Sequence, residues 1–176
     1  MYPAIRLAKE FWRHRNAPTL QIGETHVTHL ICWPGDIDLF MEMNNGRTLT
    51  LYDLGRIVMF KRMGVMDDMK RLEWAGTVAG VSVRYRSRVR MFQKVEVRST
   101  FIGWDDRFNY ALQSMWRGKT CTSQVLLRMA ITDRNGLVPS ETVVKGFGID
   151  SQSPAMPDWV HAWIAAENSR PWPPEK

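Results

Sequence analysis

The stretch Asp36–Gly64, DIDLFMEMNNGRTLTLYDLGRIVMFKRMG, decides the fold. It divides into an acidic loop, a helix start and a long apolar helix. Asn44 and Asn45 are strong N-cap residues, because a short side-chain oxygen accepts from the free N–H groups of a first turn. Beyond them Leu49 to Met63 carries apolar residues at nearly every helical angle: Leu49, Leu51, Leu54, Ile57, Val58, Met59, Phe60 and Met63. A helix apolar almost all round is a buried one. Gly64 suits the C-terminal stop, and Lys61 and Arg62 suit the negative end of the helix dipole.

Acids just before a buried helix N-terminus also make a chemical arrangement. The first N–H groups can hold an anion or a developing oxyanion, and a carboxylate a few residues upstream can act there as base or nucleophile. The plainer reading also stands on the residues alone: Asp36 and Asp38 form turns, and the asparagines only cap.

Working outward, Glu24–Trp33 alternates as a first strand, ended by Pro34-Gly35. Met66–Leu72 adds a possible helical turn. Trp74–Arg90 reads as a strand with Val81, Val83, Tyr85, Ser87 and Val89 on one face. Ser82, Arg84, Arg86, Arg88 and Arg90 fall on the other. That stripe of positive charge is either a solvated face or a docking surface for phosphates, which the planar guanidinium grips well. Lys94–Trp104, Phe108–Trp116 and Thr120–Asp133 alternate again, with turns at Asp105-Asp106, Arg117-Gly118-Lys119 and Asn135-Gly136. A short helix over Pro139–Gly148, capped by Ser140, is expected. A terminal helix over Pro154–Ser169 is expected to bear a Trp159, Trp163 and Ala166 stripe. One strand, a long helix and four more strands give an α+β layer architecture, with the sheet's apolar face on the helix.

The motif Asp36-Ile37-Asp38-Leu39-Phe40-Met41-Glu42-Met43-Asn44-Asn45 resembles the D-x-D-x-x-G-H-V-N-N run of the thioesterase superfamily with the hotdog fold. That superfamily includes 4-hydroxybenzoyl-coenzyme A thioesterases. The likeness is nearest to its member-six branch, which shares the acidic pair before M-N-N and a later G-W-D-D-R, here Gly103–Arg107. It covers roughly residues 25–148.

The resemblance implies a curved antiparallel sheet wrapped around one long central helix. It implies an acyl-coenzyme A thioester hydrolase, working without metal or bound cofactor at a site between subunits of a homodimer or a dimer of dimers. By position Asp38 is the catalytic carboxylate, and the backbone N–H of Asn45 polarises the thioester carbonyl. Asn44, Gly46 and Glu42 then border the substrate, and the docking reading of the arginine stripe assigns its phosphates to Arg86, Arg88 and Arg90. This chain departs where the family's Gly-His is Met41-Glu42 and where an aromatic is replaced by Thr48. Those departures motivate the alternative of a hotdog domain that binds an acyl ligand or a partner without catalysis. A dehydratase is disfavoured, because no histidine lies between Asn44 and Ile149.

At 176 residues one domain, 1–176, is expected, with its core at about 24–148, an N-terminal amphipathic segment over 1–18 and a C-terminal helix over 154–169. An apolar content of 44% argues against disorder. No apolar run approaches the roughly 20 residues of a membrane span, and no signal-peptide core is evident, so a cytoplasmic location is expected. Cys32 and Cys121 form no disulfide framework, and the four histidines show no ligand spacing. The net charge of +6 and pI of about 9.6 fit nucleic acid, an anionic membrane surface or a phosphorylated small molecule such as coenzyme A, or an excess that only aids solubility. No nucleic-acid-binding pattern accompanies the charge.

Overall fold

The computed structural model describes residues 2–149 and 152–174. Six antiparallel strands form one sheet, with five in the order β1-β3-β4-β5-β2 and the two-residue β6 paired to β5. The strands are β1 (Thr25–Ile31), β2 (Ala75–Tyr85), β3 (Lys94–Trp104), β4 (Asn109–Arg117), β5 (Thr120–Asp133) and β6 (Gly136–Leu137). Helix α2 (Asn45–Arg62) crosses the inner face against β1, β3 and β4. It links the two opposite edges of the sheet, so β1 and β2, neighbours in sequence, lie at its two margins. This is the α+β arrangement expected from the pattern, and the strand bounds of β3 and β5 are those expected.

The helix begins where its caps require. Asn44 Oδ1 accepts from the N–H groups of Gly46 at 2.9 Å and Arg47 at 3.2 Å. No residue from Arg47 to Phe60 is exposed, as a helix apolar almost all round demands. Leu51, Leu54, Val58 and Met59 are almost wholly buried, and Tyr52 reaches across to donate to the Ser123 carbonyl at 2.9 Å. Gly55 marks the closest approach of helix to sheet. A Cβ there would lie 2.9 Å from Ser99 Oγ and 3.1 Å from Val97 Cγ1, so the packing distance leaves room only for hydrogen.

Several expectations are corrected. Strand β2 ends at Tyr85 rather than Arg90. The N–H groups of Arg86 and Ser87 both donate to the Thr122 carbonyl, which breaks the two-residue alternation. The four arginines therefore form no single stripe. On β1 the buried face is His26, Thr28 and Leu30, two of them polar. His26 is accommodated because its Nε2 meets Thr28 Oγ1 at 2.8 Å and its Nδ1 meets Arg62 Nη1 at 3.0 Å.

The N-terminal segment forms α1 (Ala4–Arg13), whose one fully buried side chain is Glu10 rather than an aromatic. Helix α1 lies along the β1 margin, where Arg6 and Arg13 donate to the Ile31 and His29 carbonyls. These are alternate carbonyls on the unpaired side of an edge strand.

The remaining helices are α3 (Val65–Arg71), α4 (Ser140–Gly146) and α5 (Asp158–Ser169). In α4 the Ser140 hydroxyl makes no cap, and the N-cap position is Pro139. Helix α5 starts after Pro157 and turns Val160 inward, while Trp159 stays 45% exposed. It covers the outer face of the sheet over Tyr110 and Leu126, with Met156 and Trp163.

Candidate functional site

A cavity of about 260 Å³ opens at the N-terminus of α2. Glu42, Asn45, Thr48, Tyr85, Arg86 and Arg88 line it, with Ser123 and Met115 from the sheet. The cap explains what the helix offers there. Asn44 takes the N–H groups of Gly46 and Arg47, and the first N–H groups of a helix have no acceptor inside it. Among the described residues nothing accepts from the Asn45 N–H. The positive end of the helix dipole therefore meets the cavity at that donor.

The loop before the helix separates two acids that look alike in sequence. Asp36 is 1% exposed and holds three partners. Arg6 Nη1 and Arg47 Nη2 each lie 2.8 Å from it, and the Trp33 N–H lies at 2.9 Å. Burial alone would raise its pKa, but these hydrogen bonds outweigh burial and hold it below the usual carboxylate value. Its task is to tie α1, β1 and the α2 N-terminus together.

Asp38 is half-buried. Its carboxylate accepts from the Phe40 N–H at 2.8 Å and the Glu42 N–H at 3.4 Å, closing a turn in its own loop. Glu42, four residues on, faces the cavity with Arg88 Nε 2.7 Å from its carboxylate.

Among the residues expected at the site, Glu42, Asn45, Arg86 and Arg88 come together around the cavity. Asn44 and Gly46 adjoin it but are occupied by the helix cap. Arg90 lies outside the lining, in a turn where its N–H donates to Gln93 Oε1 at 2.8 Å. Arg84 falls on the other side of the sheet, with Ser82, Trp159 and Trp163. Tyr85 and Ser123 were not singled out as site residues. The Tyr85 hydroxyl reaches the Asn45 carbonyl at 3.4 Å, and burial raises its pKa. Its signal was weak, since a tyrosine on the apolar side of a strand reads as core.

A second opening lies at the other end of α2. It is an apolar groove of about 370 Å³ between α2, α3 and the start of β2, lined by Ile57, Phe60, Met66, Met69 and Val78. Asn109 reaches it, buried, with no partner for its Nδ2 among the described residues. The described residues contain no cluster of three His, Cys, Asp or Glu side chains placed to hold a metal ion, and no helix among them is long and apolar enough to cross a membrane.

Comparison with known proteins places this geometry. Residues 32–164 match the profile of the thioesterase-like superfamily. The chain is 30% identical over 139 residues to Protein THEM6 of Xenopus laevis, covering 79% of this chain and 67% of that one. Among solved structures it resembles the probable thioesterase YbaW from Escherichia coli, with a TM-score of 0.65 and 13% identity over 69% of this chain and 95% of that one. It also resembles Slr0204, a 1,4-dihydroxy-2-naphthoyl-CoA thioesterase from Synechocystis, with a TM-score of 0.61 and 8% identity over 72% and 97%. The sheet curled around α2 is thus the hotdog fold, and the chain belongs to the thioesterase-like superfamily.

Proposed function

We propose that the chain hydrolyses acyl-coenzyme A thioesters in the cavity at the α2 N-terminus. The observation that carries this reading is the Asn45 N–H, left without an acceptor at a helix N-terminus inside a cavity bearing Glu42, Arg86 and Arg88. A thioester carbonyl seated on that donor gains negative charge on its oxygen as its carbon is attacked, and the donor stabilises that charge. Asp38 supplies the carboxylate, either removing the proton from an attacking water or attacking directly to form a mixed anhydride that water then hydrolyses, freeing the acid and restoring Asp38. The carbon–sulfur bond then breaks, and the coenzyme A thiolate leaves and takes up a proton. Arg86 and Arg88 stand at the mouth, where a phosphorylated leaving group would lie.

The working unit in this reading is a homodimer. Strand β2 has an unpaired edge with Val78, Val81 and Tyr85 exposed. Pairing β2 with its own copy across a twofold axis runs the Ala75 end of one strand beside the Tyr85 end of the other. The apolar groove of one protomer then adjoins the cavity of its partner, joining an acyl pocket to a thioester site.

The test is thiol release from short, medium, long and aromatic acyl-coenzyme A esters, with Asp38→Asn and Glu42→Gln alongside. Loss of turnover by about 100-fold or more in Asp38→Asn supports the assignment. Loss confined to Glu42→Gln transfers the carboxylate role to the residue that lines the cavity.

A second reading, an acyl-binding domain without catalysis, is favoured by the Asp38 carboxylate already accepting two backbone N–H groups. No turnover on any ester, with acyl-coenzyme A still raising Tm, would establish it.

A further inference from the structure

The β1–α2 loop and the β2–β3 loop form one surface. The Phe92 N–H donates to the Cys32 carbonyl at 2.7 Å, and the Met43 N–H to the Val89 carbonyl at 2.8 Å. This joint end exposes five large apolar side chains: Leu39 is 98% exposed, Phe40 79%, Met41 63%, Phe92 61% and Trp33 48%. Trp33 and Phe92 stack edge to face at 6.1 Å. Single exposed apolar residues are ordinary, but a contiguous set marks a contact surface. Two of the five also hold backbone that glycine would adopt more cheaply, Met41 at φ 59° and Phe92 at φ 62°. Strain of this kind persists where the surrounding fold imposes it, and it clusters at binding sites.

The exposed charge beside this tip is mainly positive. Lys9, Arg90 and Lys94 are exposed with no side-chain partner among the described residues. Trp33 shares a groove of about 400 Å³ with Arg6, Lys9, Arg13 and Lys94, and with Glu10, whose carboxylate Arg13 holds. Of the acids in the same loops, Asp36 is held by two arginines and Glu42 by Arg88, while the half-buried Asp38 is turned onto the Phe40 and Glu42 N–H groups of its own loop.

We propose that this end of the molecule docks on an anionic lipid surface, with Leu39, Phe40 and Met41 entering the interface and the Trp33 groove taking lipid phosphates. A tryptophan at the boundary with cations beside it is the usual composition of an interfacial anchor. A second copy of the chain fits less well, because a twofold contact through this face would bring unpaired cations against unpaired cations. Glu42 and Arg88 belong both to the loops and to the cavity lining, so docking sets the cavity mouth at the lipid surface.

The test is co-sedimentation of the purified chain with phosphatidylcholine vesicles, with and without about one-third phosphatidylserine. Binding to the anionic vesicles that weakens with salt is expected. Leu39→Ser with Phe40→Ser should reduce it at least about tenfold. Lys94→Glu should reduce it about fivefold or more on anionic vesicles only. All of these side chains are exposed, and unchanged circular dichroism confirms that the variants fold. Absence of binding to either vesicle, or equal binding by wild type and the double variant, overturns the proposal. So does a double variant that loses a dimer in sedimentation equilibrium, since the face is then an interface between copies. The readout does not depend on catalysis, so it stands apart from the fate of the thioesterase reading.

Discussion

The two ends of α2 meet the β2 side of the sheet with opposite chemistry. At the N-terminus a small cavity is lined by Glu42, Arg86 and Arg88 around a free helix N–H. At the C-terminus a larger groove is lined by Ile57, Phe60, Met66 and Met69. One helix thus carries a polar site for a reacting carbonyl and an apolar site for its chain, about 20 Å apart for a helix of this length. In the proposed homodimer joined along β2, the apolar groove of one protomer lies beside the polar cavity of the other, so one substrate can occupy both.

Asn45→Pro makes the sharpest cut at the polar end. Proline is tolerated at the first helical position. Asn44 already has the extended backbone (φ −61°, ψ 141°) that a following proline demands. The variant keeps the helix and deletes one N–H. A kcat lowered by about 10²- to 10³-fold with an unchanged Tm is expected, and an unchanged kcat would place the oxyanion donor elsewhere.

The C-terminal end should respond to acid instead. His26 lies buried behind it, against Arg62. Burial first, then the nearby charges of His14 and Arg62, lowers its pKa to about 3. The unfolded chain takes up that proton near pH 6.5, so between pH 6.5 and about 3 the unfolded state binds more protons. Stability is therefore full above pH 6.5 and falls on acidification, by up to about 1.4 kcal/mol per pH unit. The pKa of His14 is lowered too, by burial first, and adds to the slope. Urea unfolding across that range measures it, and His26→Gln should flatten the profile. An unaltered profile in that variant would mean that His26 is not the source.

The smallest effect belongs to the rim of the cavity. Arg86 is exposed, so Arg86→Ala should raise KM for coenzyme A esters by about fivefold, equivalent to about 1 kcal/mol, with kcat held. Truncated pantetheine esters, lacking the nucleotide phosphates, should not notice the change. If they lose affinity equally, Arg86 acts on the cavity's shape rather than on phosphate.

Much of this was legible in the sequence, because local rules governed it. The caps at Asn44 and the all-round apolar pattern gave α2, and regular alternation gave β3 and β5 to the residue. The misreadings have a common cause in long-range partners. Arg86 and Arg88 continue the β2 alternation on paper, but two successive N–H groups share one carbonyl at Thr122 and the strand stops. Alternation alone did not say which face of β1 is buried, and His26 and Thr28 lie inside because they satisfy each other. Glu10 buried in α1 and the arginines that reach the β1 carbonyls carry no periodic signal. At the cavity, motif position named Asn45 and Glu42, and the strand's charge stripe named Arg86 and Arg88. Motif position chose Asp38 over Asp36, but the structural role of Asp36 was not legible, since it lies in Arg6, thirty residues away, and in Arg47, eleven residues on.

The unpaired edge of β2 has a consequence for the life of the chain before it finds a partner. The β1 margin is sealed by the arginines of α1, while β2 presents eleven residues of open backbone with apolar side chains exposed. An open strand of that length is a template on which further chains can stack into insoluble aggregates. The register shift between Val78 and Gly80 interrupts it. An irregularity there bends the strand and increases its twist, so a flat stack cannot propagate across it, whereas one partner with the same bend can match it. The bend thereby disfavours indiscriminate stacking of β2 while leaving the edge open to the matching copy of the proposed homodimer.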